Sequence, residues 1–271
     1  MLAKYFVLLG AIALAVSPLS AQQSSIAAKG PEASSAAEAF KAFRSAPMRR
    51  ATGRALADGT ADSYNWGGYA VTGTDFTSAK GTWTVPTVDC AKSPNAWVSF
   101  WVGIDGYSST TVEQAGTLTW CNRSTAEYYT WYEFYPAATT YISTVPSKPG
   151  DKMFAQITYN GSEFKVEIKD DTTGKSFTKS QAVSGAARTS AEWIVEAPET
   201  VTGITNLADF TKASFTGGTA TDSAIAAGPI SAFGSDVEKI TQIDDTEYTE
   251  STTSGLSTSG EGFTTTWVEY N

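Results

Sequence analysis

The chain has 271 residues, a formal net charge of −9 at pH 7, two cysteines and no histidine. The absence of histidine excludes Ser-His-Asp and Cys-His catalysis and the commonest zinc ligand sets, so an enzyme of this sequence must use carboxylates, amides or hydroxyls. The acidic balance argues against nucleic acid or a membrane surface as a partner, because non-specific phosphate binding depends on lysine and arginine.

The first 21 residues have the pattern of a secretory signal peptide. Lys4 supplies the positive start, residues 5–16 the apolar core, and residues 18–21 a cleavage site of small residues. The apolar core is too short to span a bilayer, which takes about 20 apolar residues. We therefore expect a secreted, extracellular protein with no membrane partner.

A basic segment rich in alanine and serine follows at residues 22–58. Up to Leu56 it holds six lysine and arginine residues against two glutamates. The chain from Gly59 onward holds 12 lysine and arginine residues against 25 aspartate and glutamate residues, which gives this part a formal charge of −13. We interpret residues 22–58 as a removable pro-segment, attracted to the acidic body as an intramolecular inhibitor and cut somewhere between Ala46 and Ser63. A disordered linker is the alternative.

Helical spacing of apolar residues appears inside this segment, over Ala33–Arg44, and predicts a helix that could cover a cleft. From Tyr64 onward the period changes to two, which is typical of β-strands. Strands are predicted at residues 81–85, 96–102, 128–135, 153–159, 163–168 and 264–270. Asn160-Gly161 predicts a hairpin, and residues 172–175 a second turn. We expect residues 59–271 to form a single all-β domain with sandwich packing.

Cys90 and Cys121 are the only cysteines. In an exported protein such a pair indicates a disulfide rather than a metal site or a nucleophile. We expect no metal and no other cofactor.

Three predicted strands place carboxylates beside aromatic or open positions, because residues i and i+2 project to the same side of a strand. The sets that share a face are Trp101 with Asp105 across Gly103; Tyr129, Trp131, Glu133 and Tyr135; and Glu192, Ile194 and Glu196. Such a surface suits an extended peptide or a sugar chain. Spacing alone does not select a site, since Glu163 and Glu167 repeat it on a strand that resembles an ordinary hairpin.

Five motifs occur in a specific order: Asn65-Trp66-Gly67-Gly68, Trp101-Val-Gly-Ile-Asp105-Gly106, Gln114-Ala-Gly116, Trp131-Tyr-Glu133-Phe-Tyr135-Pro136 and Ala191-Glu-Trp-Ile-Val-Glu196. From about Asn65 to the C-terminus the chain resembles the glutamic peptidases, also called eqolisins. The resemblance implies a concanavalin-like β-sandwich of two large antiparallel sheets, and pepstatin-insensitive endopeptidase activity on polypeptides at acid pH.

The same resemblance assigns roles to individual residues. Gln114 and Glu196 match the catalytic pair, and the residues that match the substrate-binding cleft are Trp66, Trp101, Asp105, Trp131, Glu133 and Tyr135. An ionised Glu196 can take a proton from a water that attacks the peptide carbonyl and then deliver it to the leaving amine. Gln114 can hold that water and donate to the developing oxyanion. We expect the protein to act as a monomer.

Two other functions remain open from the residues themselves. A glycoside hydrolase needs two carboxylates about 5 to 9 Å apart. Glu192 and Glu196 would lie about 13 Å apart at about 3.3 Å per residue, so Glu133 or Asp105 would have to be the partner. A non-catalytic carbohydrate-binding module could use the aromatic face without any of these carboxylates.

Overall fold

The computed structural model describes residues 40–41, 43–52 and 57–269. The predicted signal peptide lies outside these residues, as does most of the helix predicted over Ala33–Arg44. Phe40 and Lys41 are helical, but Phe43 is not, and Arg44 forms an isolated bridge with Glu199. The predicted end of the helix at Arg44 is therefore wrong, because the backbone there is hydrogen-bonded to the body of the protein.

Nearly all regular structure in the described ranges is β-strand, as the alternating pattern predicts. No helix there combines the length and apolar character needed to cross a membrane. The elements are β1 (Thr60–Ser63), β2 (Trp66–Thr72), β3 (Ser78–Thr84), β4 (Trp97–Ile104), β5 (Val112–Asn122), β6 (Thr125–Tyr135), β7 (Thr140–Tyr141), β8 (Lys152–Tyr159), β9 (Phe164–Asp170), β10 (Lys175–Gln181), β11 (Ser190–Glu196), β12 (Glu199–Thr200), β13 (Gly203–Ile204), β14 (Lys212–Thr221), β15 (Gly228–Pro229), a 3-10 helix η1 (Ile230–Asp236), β16 (Val237–Ile243), β17 (Thr249–Thr253) and β18 (Phe263–Trp267).

The two turns predicted from sequence are both present. Asn160-Gly161 lies between β8 and β9, where the Asn160 N–H donates to the Glu163 carbonyl at 3.1 Å and Gly161 has a φ of 101°. That φ is one that glycine adopts at no steric cost. Residues 171–174 connect β9 to β10, one residue earlier than the predicted turn at 172–175. The last strand ends at Trp267, earlier than its predicted end at Tyr270, a residue outside the described ranges.

One continuous antiparallel hydrogen-bonded path runs in the order β10-β9-β8-β3-β14-β18-β17-β16-β2-β11-β4-β5-β6-β7, and β1 adds a parallel pairing to β16. The path folds over on itself, so that β3 lies against β11 and β5. The Trp193 indole N–H donates to the Lys80 carbonyl at 2.8 Å, and that of Trp83 to Thr117 Oγ1 at 2.9 Å. These bonds cross between two layers, which confirms the predicted sandwich and shows that its two sheets are joined along one edge through β17.

Alternation along β11 separates the two apolar clusters of the molecule. Ala191, Trp193 and Val195 belong to the core between the layers. Ile194 points to the opposite face, where it joins a second cluster. We call this second surface the cleft face. Its buried members from the strands are Ala61, Trp66, Ala70, Trp97, Trp101, Val112, Leu118, Tyr129, Trp131, Ile194 and Ile240.

The disulfide predicted between Cys90 and Cys121 is confirmed. Cys121 is the tenth residue of β5, and Cys90 lies in the connection between β3 and β4. The Cys121 N–H also donates to the Ala96 carbonyl at 2.9 Å. The bridge therefore attaches the connection that precedes β4 to the far end of β5, the strand that carries Gln114.

Candidate active site

Strands β5, β6 and β11 place Gln114, Glu133 and Glu196 on the cleft face. In the strand register Gln114 lies opposite Gly103 of β4 and Glu133 of β6. Glu196, at the end of β11, lies opposite Ser99 of β4. Because β4 is the only strand between β5 and β11, Gln114 and Glu196 reach the same part of the cleft from either side of it.

A glycine makes room for the indole that leans over this part of the sheet. Gly116 is paired with Trp101, and a Cβ added to Gly116 would lie 2.3 Å from the Phe100 carbonyl oxygen and 2.6 Å from Trp101 Cβ. No side chain fits there. The glycine therefore allows Trp101 to approach β5 closely, and the Trp101 N–H donates to Glu196 Oε2 at 2.8 Å.

The orientation of the Gln114 amide is determined by its neighbours. Its Nε2 group donates to Glu133 Oε2 at 3.0 Å and to the Ser45 carbonyl at 3.1 Å, while its Oε1 accepts from Ser45 Oγ at 3.0 Å. Glu133 Oε1 in turn accepts from Thr139 Oγ1 at 2.7 Å. With two acceptors at one end and a hydroxyl at the other, the amide has one orientation that satisfies all its partners.

Glu196 is completely buried, and burial raises the pKa of its carboxyl to about 8. Hydrogen bonds from the Ala46 N–H and the Trp101 N–H lower that pKa, but by less than burial raises it. In this covered site the Glu196 carboxyl is consequently protonated at neutral pH. A carboxyl in this state can act as a base only when a water reaches it and the cost of ionisation falls.

The material that covers the site is a piece of the predicted pro-segment. We call residues 43–50 the leader strand. The Arg44 N–H donates to the Glu199 carbonyl at 2.8 Å, and the Glu199 N–H to the Arg44 carbonyl at 2.9 Å. The Ala46 N–H donates to Glu196 Oε1 at 3.1 Å, and the Trp66 indole N–H donates to the Ala46 carbonyl at 3.1 Å. The leader strand thus lies across Gln114 and Glu196 in an extended conformation.

Aromatic contacts hold the chain on the N-terminal side of this crossing. Phe43 is fully buried, with its ring edge-on to Trp131 and parallel to Trp97. Phe40 packs edge-on to Tyr129 and stacks on Tyr141. Burying a phenylalanine side chain contributes about 1.5–3 kcal/mol, so these two rings supply a large share of the attraction between leader and cleft.

Basic residues of the leader strand meet acidic groups of the body. Arg49 Nε lies 2.7 Å from Glu199 Oε1 in a partly exposed ion pair, a class that contributes about 0–1 kcal/mol. The charge of Arg44 lowers the pKa of Glu133, which burial nevertheless raises well above its ordinary value. The opposed charges expected from the sequence are therefore in contact at the cleft.

The residues predicted to line a cleft do not all lie together. Trp66 contacts the leader strand, and Trp101 contacts Glu196. Trp131 packs on Phe43, and Tyr135 is half-buried against the apolar cluster of the cleft face. The hydrogen bonds of the Asp105 carboxylate go to residues other than Gln114 and Glu196. This carboxylate accepts from the backbone N–H groups of Arg188 at 2.7 Å and Thr189 at 2.9 Å, so it holds the turn that leads into β11.

Several residues at the site were not identified from the sequence. They are Ser45 and Ala46 of the leader strand, Glu199 in β12, Thr139 beside Glu133, and Asn65, whose Oδ1 accepts from the Arg49 N–H at 2.7 Å. Asn65 belongs to a quoted motif and could have been included on that ground. Ser45 is one of many serines in a serine-rich segment, and no local pattern distinguishes it.

Comparison with known proteins gives consistent matches. A model of the peptidase A4 family matches residues 64–262. Aspergillopepsin-2 of Aspergillus niger is 31% identical over 229 residues, covering 76% of this chain and 78% of that protein. Scytalidopepsin B of Scytalidium lignicola is 29% identical over 158 residues, covering 57% and 58%. A crystal structure of scytalido-glutamic peptidase with a transition state analog inhibitor superposes with a TM-score of 0.64 at 25% identity, covering 76% of this chain and 98% of that one.

Proposed function

The chain belongs to the peptidase A4 family, the glutamic peptidases or eqolisins, and is a peptide hydrolase; from this premise we propose that it is a secreted, pepstatin-insensitive endopeptidase that works at acid pH through Glu196 and Gln114. One observation carries the assignment of the pair. A single oxygen atom, Ser45 Oγ, is hydrogen-bonded to both Gln114 Oε1 and Glu196 Oε2. A water molecule at that position would touch both side chains.

The chemistry follows from the two functional groups. Ionised Glu196 removes a proton from the water as the water attacks the scissile carbonyl, and then transfers this proton to the leaving nitrogen. Gln114 holds the water through Oε1 and donates from Nε2 to the oxyanion that forms on the carbonyl. Glu133 is a positioning residue, because its carboxyl accepts from Gln114 Nε2 and holds the amide in this orientation.

The pH range of activity depends on whether the cleft is covered. Under the leader strand, burial keeps the pKa of Glu196 near 8 and the carboxyl in its neutral form. Removal of the leader returns water to the carboxyl, which reverses the main cause of that raised pKa. Glu196 can then ionise in mild acid, as a general base for acid proteolysis requires.

We also propose that the pro-segment inhibits the enzyme within the same molecule, and that the protein is a monomer. Occupation of the cleft by residues 43–50 supports this role, as do the buried rings of Phe40 and Phe43 and the pairing of Arg49 with Glu199. As the pH falls, carboxylates that pair with the leader become protonated and its basic residues lose their partners.

Hydrolysis of a protein substrate tests the catalytic assignment. The secreted, acid-treated protein is incubated with denatured casein at pH 3–4 in the presence of pepstatin, beside Glu196→Ala, Gln114→Ala and the exposed-site control Glu163→Ala. We expect a loss of about 10²–10³-fold for Gln114→Ala, and a loss at least as large for Glu196→Ala. Intact casein with the unmodified protein, or full activity of both cleft variants, would contradict the proposal.

The mass of the chain tests inhibition by the pro-segment. Purified precursor is moved from pH 7 to pH 4, and its intact mass is followed over time. We expect the mass to fall by that of the pro-segment as casein hydrolysis appears, and neither change in Glu196→Ala. A precursor that hydrolyses casein at full rate with its mass unchanged would show that the pro-segment does not inhibit.

A further inference from the structure

The peptide bond between Ser45 and Ala46 lies between the two side chains of the proposed catalytic pair. Gln114 Nε2 donates to the Ser45 carbonyl oxygen at 3.1 Å, and the Ala46 N–H donates to Glu196 Oε1 at 3.1 Å. Hydrolysis of a peptide creates negative charge on the carbonyl oxygen and requires a proton at the nitrogen. Each of these two atoms therefore already contacts the group that would serve it.

Contacts on both sides fix the register of this bond. On the N-terminal side, Arg44 and Glu199 exchange two backbone hydrogen bonds and Phe43 fills an aromatic pocket. On the C-terminal side, the Trp66 indole N–H donates to the Ala46 carbonyl. A shift of the leader strand by one residue would break all of these contacts. The bond between Ser45 and Ala46 is thus bound as the scissile bond of a substrate would be.

The leader strand differs from a substrate in one respect: the Ser45 side chain occupies the space beside the Ser45 carbonyl, where a substrate would leave room for the attacking water. The Ser45 hydroxyl contacts Gln114 Oε1 at 3.0 Å and also Glu196 Oε2. These are the two atoms that hold the attacking water in the proposed mechanism. A hydroxyl oxygen resembles a water oxygen in size and can both donate and accept a hydrogen bond.

The number of hydrogens on Gln114, Ser45 and Glu196 determines which group donates in each of these contacts. Gln114 Nε2 has two acceptors, so Oε1 faces Ser45 and must accept the single hydroxyl hydrogen. The contact between Ser45 Oγ and Glu196 Oε2 then needs a proton from the carboxyl, which donates it to the hydroxyl oxygen. The Gln114 amide, the Ser45 hydroxyl and the Glu196 carboxyl therefore satisfy one another, which leaves neither an ionised base nor a place for a water.

We propose that the Ser45 hydroxyl takes the place of the attacking water, so that the leader strand binds like a substrate yet its Ser45–Ala46 bond resists hydrolysis. The hydroxyl cannot replace water as the nucleophile for its own carbonyl, since that attack would close a strained four-membered ring. This inference rests on the proposed function. Without the hydroxyl, one water adds to the carbonyl carbon of residue 45, Glu196 takes its proton, the C–N bond breaks, and the proton passes to the Ala46 nitrogen.

Substitution of Ser45 in the full-length chain tests the inference. Ser45→Ala and Ser45→Gly remove the hydroxyl and leave space for a water, Ser45→Thr keeps the hydroxyl, and Ser45→Ala combined with Glu196→Gln removes the base. Each precursor is held at pH 4, and mass spectrometry follows the fragments that end at residue 45 or begin at Ala46. Casein hydrolysis is measured in the same samples.

We expect Ser45→Ala and Ser45→Gly to cut the 45–46 bond on the order of tenfold faster than the unmodified chain, the upper end of the effect of removing one neutral hydrogen bond. Ser45→Thr should behave like the unmodified chain, and the double variant should not cut. Equal rates at this bond in the unmodified and Ser45→Ala chains, with casein hydrolysed by both, would overturn the inference while leaving the proposed function intact.

A second measurement does not depend on folding of the variants. Synthetic peptides of residues 40–52, with Ser45 or with alanine in its place, are added to the acid-activated unmodified protein. We expect the serine peptide to inhibit casein hydrolysis and remain intact, and the alanine peptide to be cut between positions 45 and 46. If both peptides stay intact, or both are cut equally fast, the inference is wrong. If casein is not hydrolysed at all, the proposed function fails and this inference with it.

Discussion

At the scale of single residues, the candidate site is a set of hydrogen bonds spread over four neighbouring strands, β6, β5, β4 and β11. Thr139 donates to Glu133, Gln114 donates to Glu133, and Trp101 donates to Glu196. Each bond limits the orientation of a group that takes part in the proposed reaction. Side chains that touch neither water nor substrate therefore influence how well Gln114 and Glu196 perform.

Trp101 provides a test of this influence. Trp101→Phe keeps most of the ring and removes the N–H that donates to Glu196 Oε2. That hydrogen bond lowers the pKa of Glu196, so its loss raises the pKa and moves the acid limb of the kcat profile to higher pH. We expect kcat to fall about 10- to 100-fold, the range for one hydrogen bond to a charged group.

The pH profile separates this effect from damage to the fold. Trp267→Phe is the control, because the Trp267 indole donates at 3.4 Å to the Leu207 carbonyl and does not contact Glu196. Its kcat and acid limb should match those of the unmodified protein. A Trp101→Phe enzyme with an unshifted acid limb would show that the indole N–H does not act on the base.

At the scale of elements, the cleft depends on how closely β2, β11, β4 and β5 approach one another. Glycines permit this approach in two of the motifs. Gly116 of β5 lies under Trp101, and Gly68 of β2 lies opposite Ile194 of β11 and Ile240 of β16. The Asn65-Trp66-Gly67-Gly68 motif thus combines a leader contact with a backbone position that admits no side chain.

Gly68→Ala should destabilise the fold strongly. Gly68 has a φ of +132°, and an added Cβ would lie 2.3 Å from the Trp193 carbonyl oxygen. Strain and overlap together should cost about 3 kcal/mol or more. Thermal unfolding at pH 4 should show a Tm lower by roughly 6 °C or more. Gly255→Ala, where no atom lies within 4 Å of the added Cβ, should stay within about 0.5 kcal/mol of the unmodified protein.

The same elements show what could be predicted from the sequence. Alternation located the strands, and Asn160-Gly161 located a hairpin, because both signals are local. The order in which β11, β4 and β5 lie side by side is not local, and neither is the contact of Gln114 with Glu133. The pair of Gln114 and Glu196 was predicted only because the order of the five motifs resembles that of the glutamic peptidases. Ser45 could not be found, because its importance depends entirely on where the leader strand crosses the sheet.

At the scale of the whole molecule, the distribution of carboxyl groups relates stability to pH. Glu113 and Glu192 are both buried, and the negative charge of Asp105 helps to raise the pKa of each. Burial raises the pKa of Glu113 to about 9 from an ordinary value of 4.5, and raises the pKa of Glu192 as well. The folded protein therefore binds these protons more tightly than the unfolded chain does.

The direction of the pH effect follows from that difference. Below about pH 4.5 both states hold the Glu113 proton, whereas between about 4.5 and 9 only the folded state holds it, so stability falls as the pH rises through this window. We expect Tm to be highest near pH 4 and to drop by pH 8. In a domain of this size each 1 kcal/mol corresponds to roughly 2–4 °C.

Glu113→Gln keeps the shape of the side chain and removes its titration. Its Tm should decline less between pH 4 and pH 8 than that of the unmodified protein, while Glu163→Gln, at an exposed position, should not alter the decline. Thermal unfolding followed by circular dichroism across this range measures both. A Glu113→Gln protein with an unchanged decline would mean that Glu113 is not a source of the pH dependence.

The proton shared by Ser45 and Glu196 links closure of the cleft to the acidity of the solution. A covered carboxyl with a pKa near 8 retains a proton that the open cleft releases, so by mass action acid strengthens closure at this one contact. Acid weakens the leader only where it neutralises carboxylates that face its arginines. The two effects have opposite signs, which makes the pH of release a balance between them and not a property of either group alone. Closing the cleft in a weakly buffered solution should accordingly take up protons from the solvent.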